Sequence, residues 1–125
     1  MPEHPNAALV RRMNEAMGAG DNDTVTSLLA DDVVWYEIGR DEPIRGVQAL
    51  AERYAEGAAD FTITGSVHDV VANDEHAVAL INAEADRGGK HLSYRTAEIY
   101  HVKDGKVTAR WAFSDDTQAI TDFFA

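Results

Sequence analysis

Leu9, Met13, Ala16 and Met17 recur at helical spacing near the start of the chain, with Arg11, Arg12, Asn14 and Glu15 between them. That pattern predicts a helix with one apolar stripe, starting at Pro5-Asn6 and stopped by the glycines at 18 and 20. A second short helix is predicted over 22–30, capped by Asp21 or Asn22, with Val25, Leu28 and Leu29 facing inward. It ends at Asp31-Asp32, and a strand follows at once over 33–38. After a turn, Arg45-Gly46 opens a third helix over 47–56, bounded by glycine at both ends, with Val47, Leu50, Ala51 and Tyr54 on one face.

Beyond residue 57 the period changes to two. Residues 61–71, 77–86, 92–102 and 107–113 read as strands rich in β-branched and aromatic side chains. Gly88-Gly89 and Asp104-Gly105 are hairpin turns, because tight hairpins need positive φ, and 73–75 (Asn-Asp-Glu) is a further turn. A closing helical turn from Asp116-Thr117 would set Ile120, Phe123 and Phe124 against the sheet. Helices followed by a mostly antiparallel sheet describe an α+β fold around one core.

Strand alternation then assigns faces. Leu92, Tyr94, Thr96, Glu98, Tyr100 and Val102 share one side of their strand, and His91, Ser93, Arg95, Ala97, Ile99 and His101 the other. The first set is the more aromatic and is placed inward. In the last strand Val107, Ala109, Trp111 and Phe113 form the apolar set, opposed by Thr108, Arg110 and Ala112. Val34, Tyr36 and Ile38 oppose Val33, Trp35 and Glu37.

Glu98 becomes the sharpest chemical candidate. A carboxyl among apolar neighbours loses hydration, and such a group serves as an acid or base near neutrality. The alternatives are an Arg or Lys partner that makes it an ordinary ion pair, or a face assignment off by one. Tyr36 is the second candidate, a phenol at a cavity wall able to donate a hydrogen bond to a carbonyl or developing oxyanion; the alternative is a core tyrosine. Trp111, Tyr94, Tyr100, Tyr54 and Phe113 would line a hollow with aromatic surface.

Other chemistries find little footing. The five histidines form no HxH or HxxxH pair, and the absence of cysteine removes disulfides, thiolate nucleophiles and cysteine metal sites. Ser66 lacks the second glycine of a nucleophile elbow, and no glycine-rich phosphate loop occurs. No metal or cofactor is therefore expected. Asp115-Asp116 reads most simply as a helix cap. With 125 residues and 45% hydrophobic content the chain is one domain, 1–125, with a real core. A formal net charge of -11 repels phosphate backbones and anionic lipid, so neither nucleic acid nor membrane is an expected partner. No long apolar run marks a leader or a membrane span, and a cytoplasmic protein is the expectation.

The order ADDVVWYEIG, the Arg45-Gly46 helix start, and KDGKVTARWAF followed by an acidic helix start resembles the nuclear-transport-factor-2-like superfamily. That group includes ketosteroid isomerases, SnoaL-like polyketide cyclases and limonene-type epoxide hydrolases, and the SnoaL-like proteins are the nearest in flavour. The resemblance implies three N-terminal helices on a strongly curved sheet, a cone with an internal pocket, and dimers. It also implies cofactor-independent chemistry. The isomerases' catalytic aspartate falls on Tyr36, their first-helix tyrosine on Met13, and their second oxyanion-hole acid near Glu98. The essential aspartate of the cyclases and epoxide hydrolases falls on Ala112, and the cyclases' polar partner again on Glu98.

Three functions follow as expectations. One is a pocket for a small, largely apolar molecule bearing a carbonyl or hydroxyl, with Glu98 transferring protons in an isomerisation, cyclisation or hydration and Met13 among the contacts. The second is a non-catalytic binding or accessory module. The third is a purely structural dimerisation domain, which requires the hollow to be filled by side chains. A homodimer is expected through the outer sheet face, where Ile99, Ala97 and Ala112 would sit beside Arg95, Arg110 and His101.

Overall fold

A computed structural model describes residues 3–57 and 60–125; residues 1–2, part of the opening stretch judged for a leader, lie outside them. The order is α1 (Pro5–Ala19), α2 (Asn22–Ser27), β1 (Leu29–Trp35), β2 (Ile44–Arg45), α3 (Val47–Gly57), β3 (Thr62–Ala72), β4 (His76–Arg87), β5 (Lys90–Lys103), β6 (Lys106–Ser114) and α4 (Thr117–Phe124). The strands form one mixed sheet in the order β2-β1-β6-β5-β4-β3, antiparallel except for the parallel pair β1–β6.

Helix ends follow local chemistry. The His4 ring accepts from the Asn6 amide at 3.1 Å, Pro5 occupies the first turn, and Gly20 ends α1 at φ 71°. Asp116 caps α4 by accepting from the Ala119 amide at 3.0 Å. Asp115 has a different task, accepting from Arg95 through backbone and guanidinium at 3.1 and 3.3 Å. The expected shared cap is thus Asp116 alone.

The α2–β1 junction departs from expectation. The helix stops at Ser27 and the strand begins at Leu29, so Asp31-Asp32 lie within β1 rather than ahead of it. Leu29 and Val33 are buried and Leu29 pairs with Val107 of β6, which holds the chain extended. The two aspartates occupy the irregular stretch between Leu29 and Val34, where both are exposed. On α3, Leu50 is buried but Ala51 is exposed, so the buried stripe is narrower than the pattern suggested.

The core lies between α1, α3 and the inner sheet face: Ala7, Val10 and Met13 of α1 meet Ala77, Ala79 and Ile81 of β4, with Val33, Trp35 and Tyr100. The sheet is open, with free edges at β2 and β3, and is not the strongly curled cone expected. Its centre is filled by side chains that solvent hardly touches, among them Trp35, Tyr100 and Met13. Two open recesses, of about 410 and 300 Å3, lie toward the β4–β5 hairpin end.

Candidate functional site

One extra residue in β6 decides which side chains meet. Across the hairpin Val102 pairs with Val107, but His101 pairs with Ala109, leaving Thr108 unmatched in a β-bulge. Uniform pairing would set Trp111 opposite Glu98. The bulge moves the register by one, so Ala112 faces Glu98 and Arg110 faces Tyr100. Every β6 side chain beyond Thr108 changes face. Trp111 and Phe113 therefore point outward, away from the predicted hollow, and Arg110 and Ala112 point inward, away from the predicted interface.

Inside, Glu98 and Arg110 form an ion pair. Arg110 Nη2 lies 3.2 Å from Glu98 Oε1, with the two side chains only 11% and 13% exposed. Tyr100 donates to the same oxygen at 2.6 Å, and Thr96 donates to Oε2 at 3.1 Å. Arg110 Nη1 donates to the Tyr36 carbonyl at 2.9 Å, and its guanidinium carbon stands 4.6 Å from the Trp35 ring centre, a cation–π arrangement. Arg110 Nε is buried without a hydrogen-bond partner.

The electrostatics are set by this cluster. Burial opposes the charge on Arg110, but Glu98, then Tyr100 and Tyr54, outweigh it, so the guanidinium is held charged above its ordinary range. Burial, then the Glu98 carboxylate, push the Tyr100 phenol well above the usual tyrosine value, keeping it a hydrogen-bond donor. Burial and Glu98 also raise Tyr94, while Arg110 opposes them. The arrangement is a carboxylate held by two hydroxyl donors and a charged arginine, beside aromatic walls. Hydrogen bonds and a neighbouring cation stabilise the charged form of a carboxylate, and its remaining lone pairs are what it offers a ligand.

The remaining predicted residues separate by face. Tyr94 is half-buried on the Glu98 side. Tyr54 projects from α3, 45% exposed, with its ring edge-on to Trp35 at 6.3 Å. Met13 is fully buried in the α1–sheet core. Tyr36 is on the outer face, stacked on Trp111 at 5.2 Å and 12°, because Val33 and Trp35 take the buried side of β1. Arg110, Thr96 and Trp35 are the members that the predicted site lacked. Among the described residues no group of three or more His, Cys, Asp or Glu is placed to hold a metal ion, and no helix is long and apolar enough to cross a membrane.

Residues 10–110 match the family described as SnoaL-like domain. The chain belongs to that family. Among relatives of this SnoaL-like protein, the uncharacterised protein Rv0034 of Mycobacterium tuberculosis is 31% identical over 131 aligned residues, covering 100% of both chains. Bal32a, from a soil-derived mobile gene cassette, shares the fold at a TM-score of 0.90 and 24% identity, with 97% of each chain covered. An LEH-like epoxide hydrolase of Mycobacterium tuberculosis superposes at a TM-score of 0.79 with 22% identity, covering 96% of this chain and 86% of that one. The nuclear-transport-factor-2-like fold expected from the sequence is thereby established.

Proposed function

We propose that this SnoaL-like protein binds a small, largely apolar molecule carrying a carbonyl or hydroxyl between α3 and the inner sheet face, with Glu98 as the acid/base. The observation that carries the reading is Glu98 itself. It is an inward carboxylate, still 13% exposed, between the aromatic residues Tyr94 and Tyr100 and opposite the small Ala112. Ala112 is the small residue paired with Glu98 across the strands. Tyr54, partly open to solvent, supplies an apolar wall. Isomerisation, cyclisation and epoxide hydration all fit one positioned proton-transfer group, and a relative in fold is named an epoxide hydrolase. A panel of ketones and epoxides presented to the wild type and Glu98→Gln tests it. Conversion by the wild type alone supports the reading.

A second reading is a ligand-binding or accessory module without turnover. Both Glu98 oxygens already accept hydrogen bonds, and Arg110 neutralises the charge. Equal binding to both proteins, with no conversion by either, would favour it.

We also propose a homodimer through the outer sheet face. Val71, Val78, Ile99 and Trp111 form one row across four strands, and Leu80, Ala97 and Phe113 the next. Val71 and Phe113 are each 56% exposed and Leu80 is 38% exposed, a contiguous apolar surface of the kind that protein contacts cover. Ala112 and Arg110, facing inward, take no part in it.

A further inference from the structure

The outer sheet face has two halves. Along β4 the outward positions read Val78 and Leu80, then Asn82, Glu84 and Asp86; along β5 they read Ile99 and Ala97, then Arg95, Ser93 and His91. The apolar half suits a second copy. The polar half, at the hairpin end, carries an arrangement of another kind.

Asp86 pairs across the strands with His91, and Glu84 with Ser93, beside the Gly88-Gly89 turn whose glycines take φ of 56° and 81°. That register brings three side chains into a line. His91 Nδ1 stands 2.8 Å from Asp86 Oδ1, and His91 Nε2 stands 3.3 Å from Ser93 Oγ. The single Ser93 hydroxyl proton is directed at Glu84 Oε1 at 3.3 Å, so the serine must turn to offer it to His91. Asp86 faces Nδ1, while Nε2 faces both the serine and Glu84 Oε1, the latter at 3.6 Å. A hydroxyl, a base and a group orienting that base are the parts of an activated nucleophile, and a slightly long hydroxyl–imidazole distance is usual without substrate.

The serine also faces usable space. Ser93 lines the open recess of about 410 Å3 with Thr64, Ser66, Asn82, Arg95 and Asp115. Arg95 gives that recess a cation two residues from the serine, although its Nε is engaged by Asp115 at 3.3 Å. Tyr94 and Ala83, from the inner face, also line the recess, which thus borders the Glu98 side at Tyr94 and otherwise lies beyond the apolar rows.

We propose that Ser93, His91 and Asp86 form a nucleophile, base and orienter that accept acyl groups from small activated esters seated in this outer recess. The Ser93 Oγ forms a bond to the ester carbonyl carbon while its proton passes to His91 Nε2. The bond to the leaving alkoxide or phenoxide then breaks, and that oxygen takes the proton from His91. Water repeats the sequence to release the carboxylic acid and free Ser93. Because the relay is open to solvent, the turnover is slow. Glu84 competes with His91 for the serine proton, so its carboxylate restrains the reaction.

The test uses the full chain with p-nitrophenyl acetate, following p-nitrophenolate release and mapping acetyl groups by peptide mass spectrometry. The relay predicts an acetyl adduct on Ser93. Release should fall on the order of a hundredfold in Ser93→Ala and in His91→Gln, the lower range for loss of a positioned base. Asp86→Asn should be slowed and Glu84→Gln accelerated. Adducts confined to lysine or histidine, or release unchanged in Ser93→Ala, would overturn the proposal, since exposed imidazole attacks this ester directly. All four positions are exposed, and thermal melts of each variant confirm that the fold persists.

Discussion

Arg110 Nη2 lies 3.2 Å from Glu98 Oε1 in the interior, and this ion pair is the hinge between fold and site. Removing one partner leaves the other charge buried. Arg110→Met should therefore cost about 3–5 kcal/mol of stability, whereas replacing both with Met and Leu should recover much of that loss. Urea unfolding of the two single variants and the double variant measures it. Equal, additive losses would show that the pair is not coupled.

The bulge at Thr108 is testable in its own right. Val107 and Ala109 already pair with Val102 and His101, so deleting Thr108 regularises the strand and leaves Arg110 opposite Tyr100 and Ala112 opposite Glu98. The deletion should therefore keep the buried ion pair, at a cost below the about 3–5 kcal/mol expected when that pair is broken. Thr108→Ala, which keeps the extra residue and removes only the hydroxyl bond to the His101 carbonyl at 3.3 Å, should cost about 1 kcal/mol. A deletion as destabilising as Arg110→Met would argue against the register account.

That bulge also explains how much was legible in the sequence. Helix α1, both hairpin turns, the four long strands and the family pattern followed from spacing and turn chemistry, which are local. The facing of β5 was legible because Tyr94, Thr96, Glu98 and Tyr100 alternate without interruption. The facing of β6 was not, because a single unpaired residue reverses parity and KVTARWAF reads as a regular strand. Arg110 was assigned outward for that reason, and Trp111 and Phe113 inward. A narrower signal existed in β1, where burying Val33 and Trp35 hides more apolar surface than burying Val34 and Tyr36. The Ser93–His91–Asp86 line required cross-strand register, which spacing alone does not supply.

Tyrosine ionisation gives a pH test. Tyr100 and Tyr94 have folded-state values raised above the unfolded one, chiefly by burial. Their contribution to stability is complete below about pH 10, the unfolded value, and is lost as pH climbs from there toward the folded values. Ultraviolet titration should show part of the tyrosine absorbance change appearing only with alkaline unfolding. In Tyr100→Phe that delayed portion should shrink. A single titration of all tyrosines near their ordinary value would contradict the buried network.

The outer apolar rows predict assembly. Phe113→Glu or Leu80→Glu should shift the protein from dimer toward a 13.7 kDa monomer in sedimentation at micromolar concentration. Arg110→Glu should act through lost folding stability instead. A wild type that sediments only as monomer would remove the dimer.

Deuterium exchange at the carbon next to a bound ketone's carbonyl tests the central reading most directly, because it records proton transfer even where no product forms. Ketones found to bind by nuclear magnetic resonance would be incubated in heavy water with the wild type and Glu98→Gln. Glu98 as base predicts exchange in the wild type and a loss of about 10²–10⁴-fold in the variant, with binding retained. Equal exchange in both proteins, or bound ketone with no exchange in either, would contradict an acid/base role for Glu98.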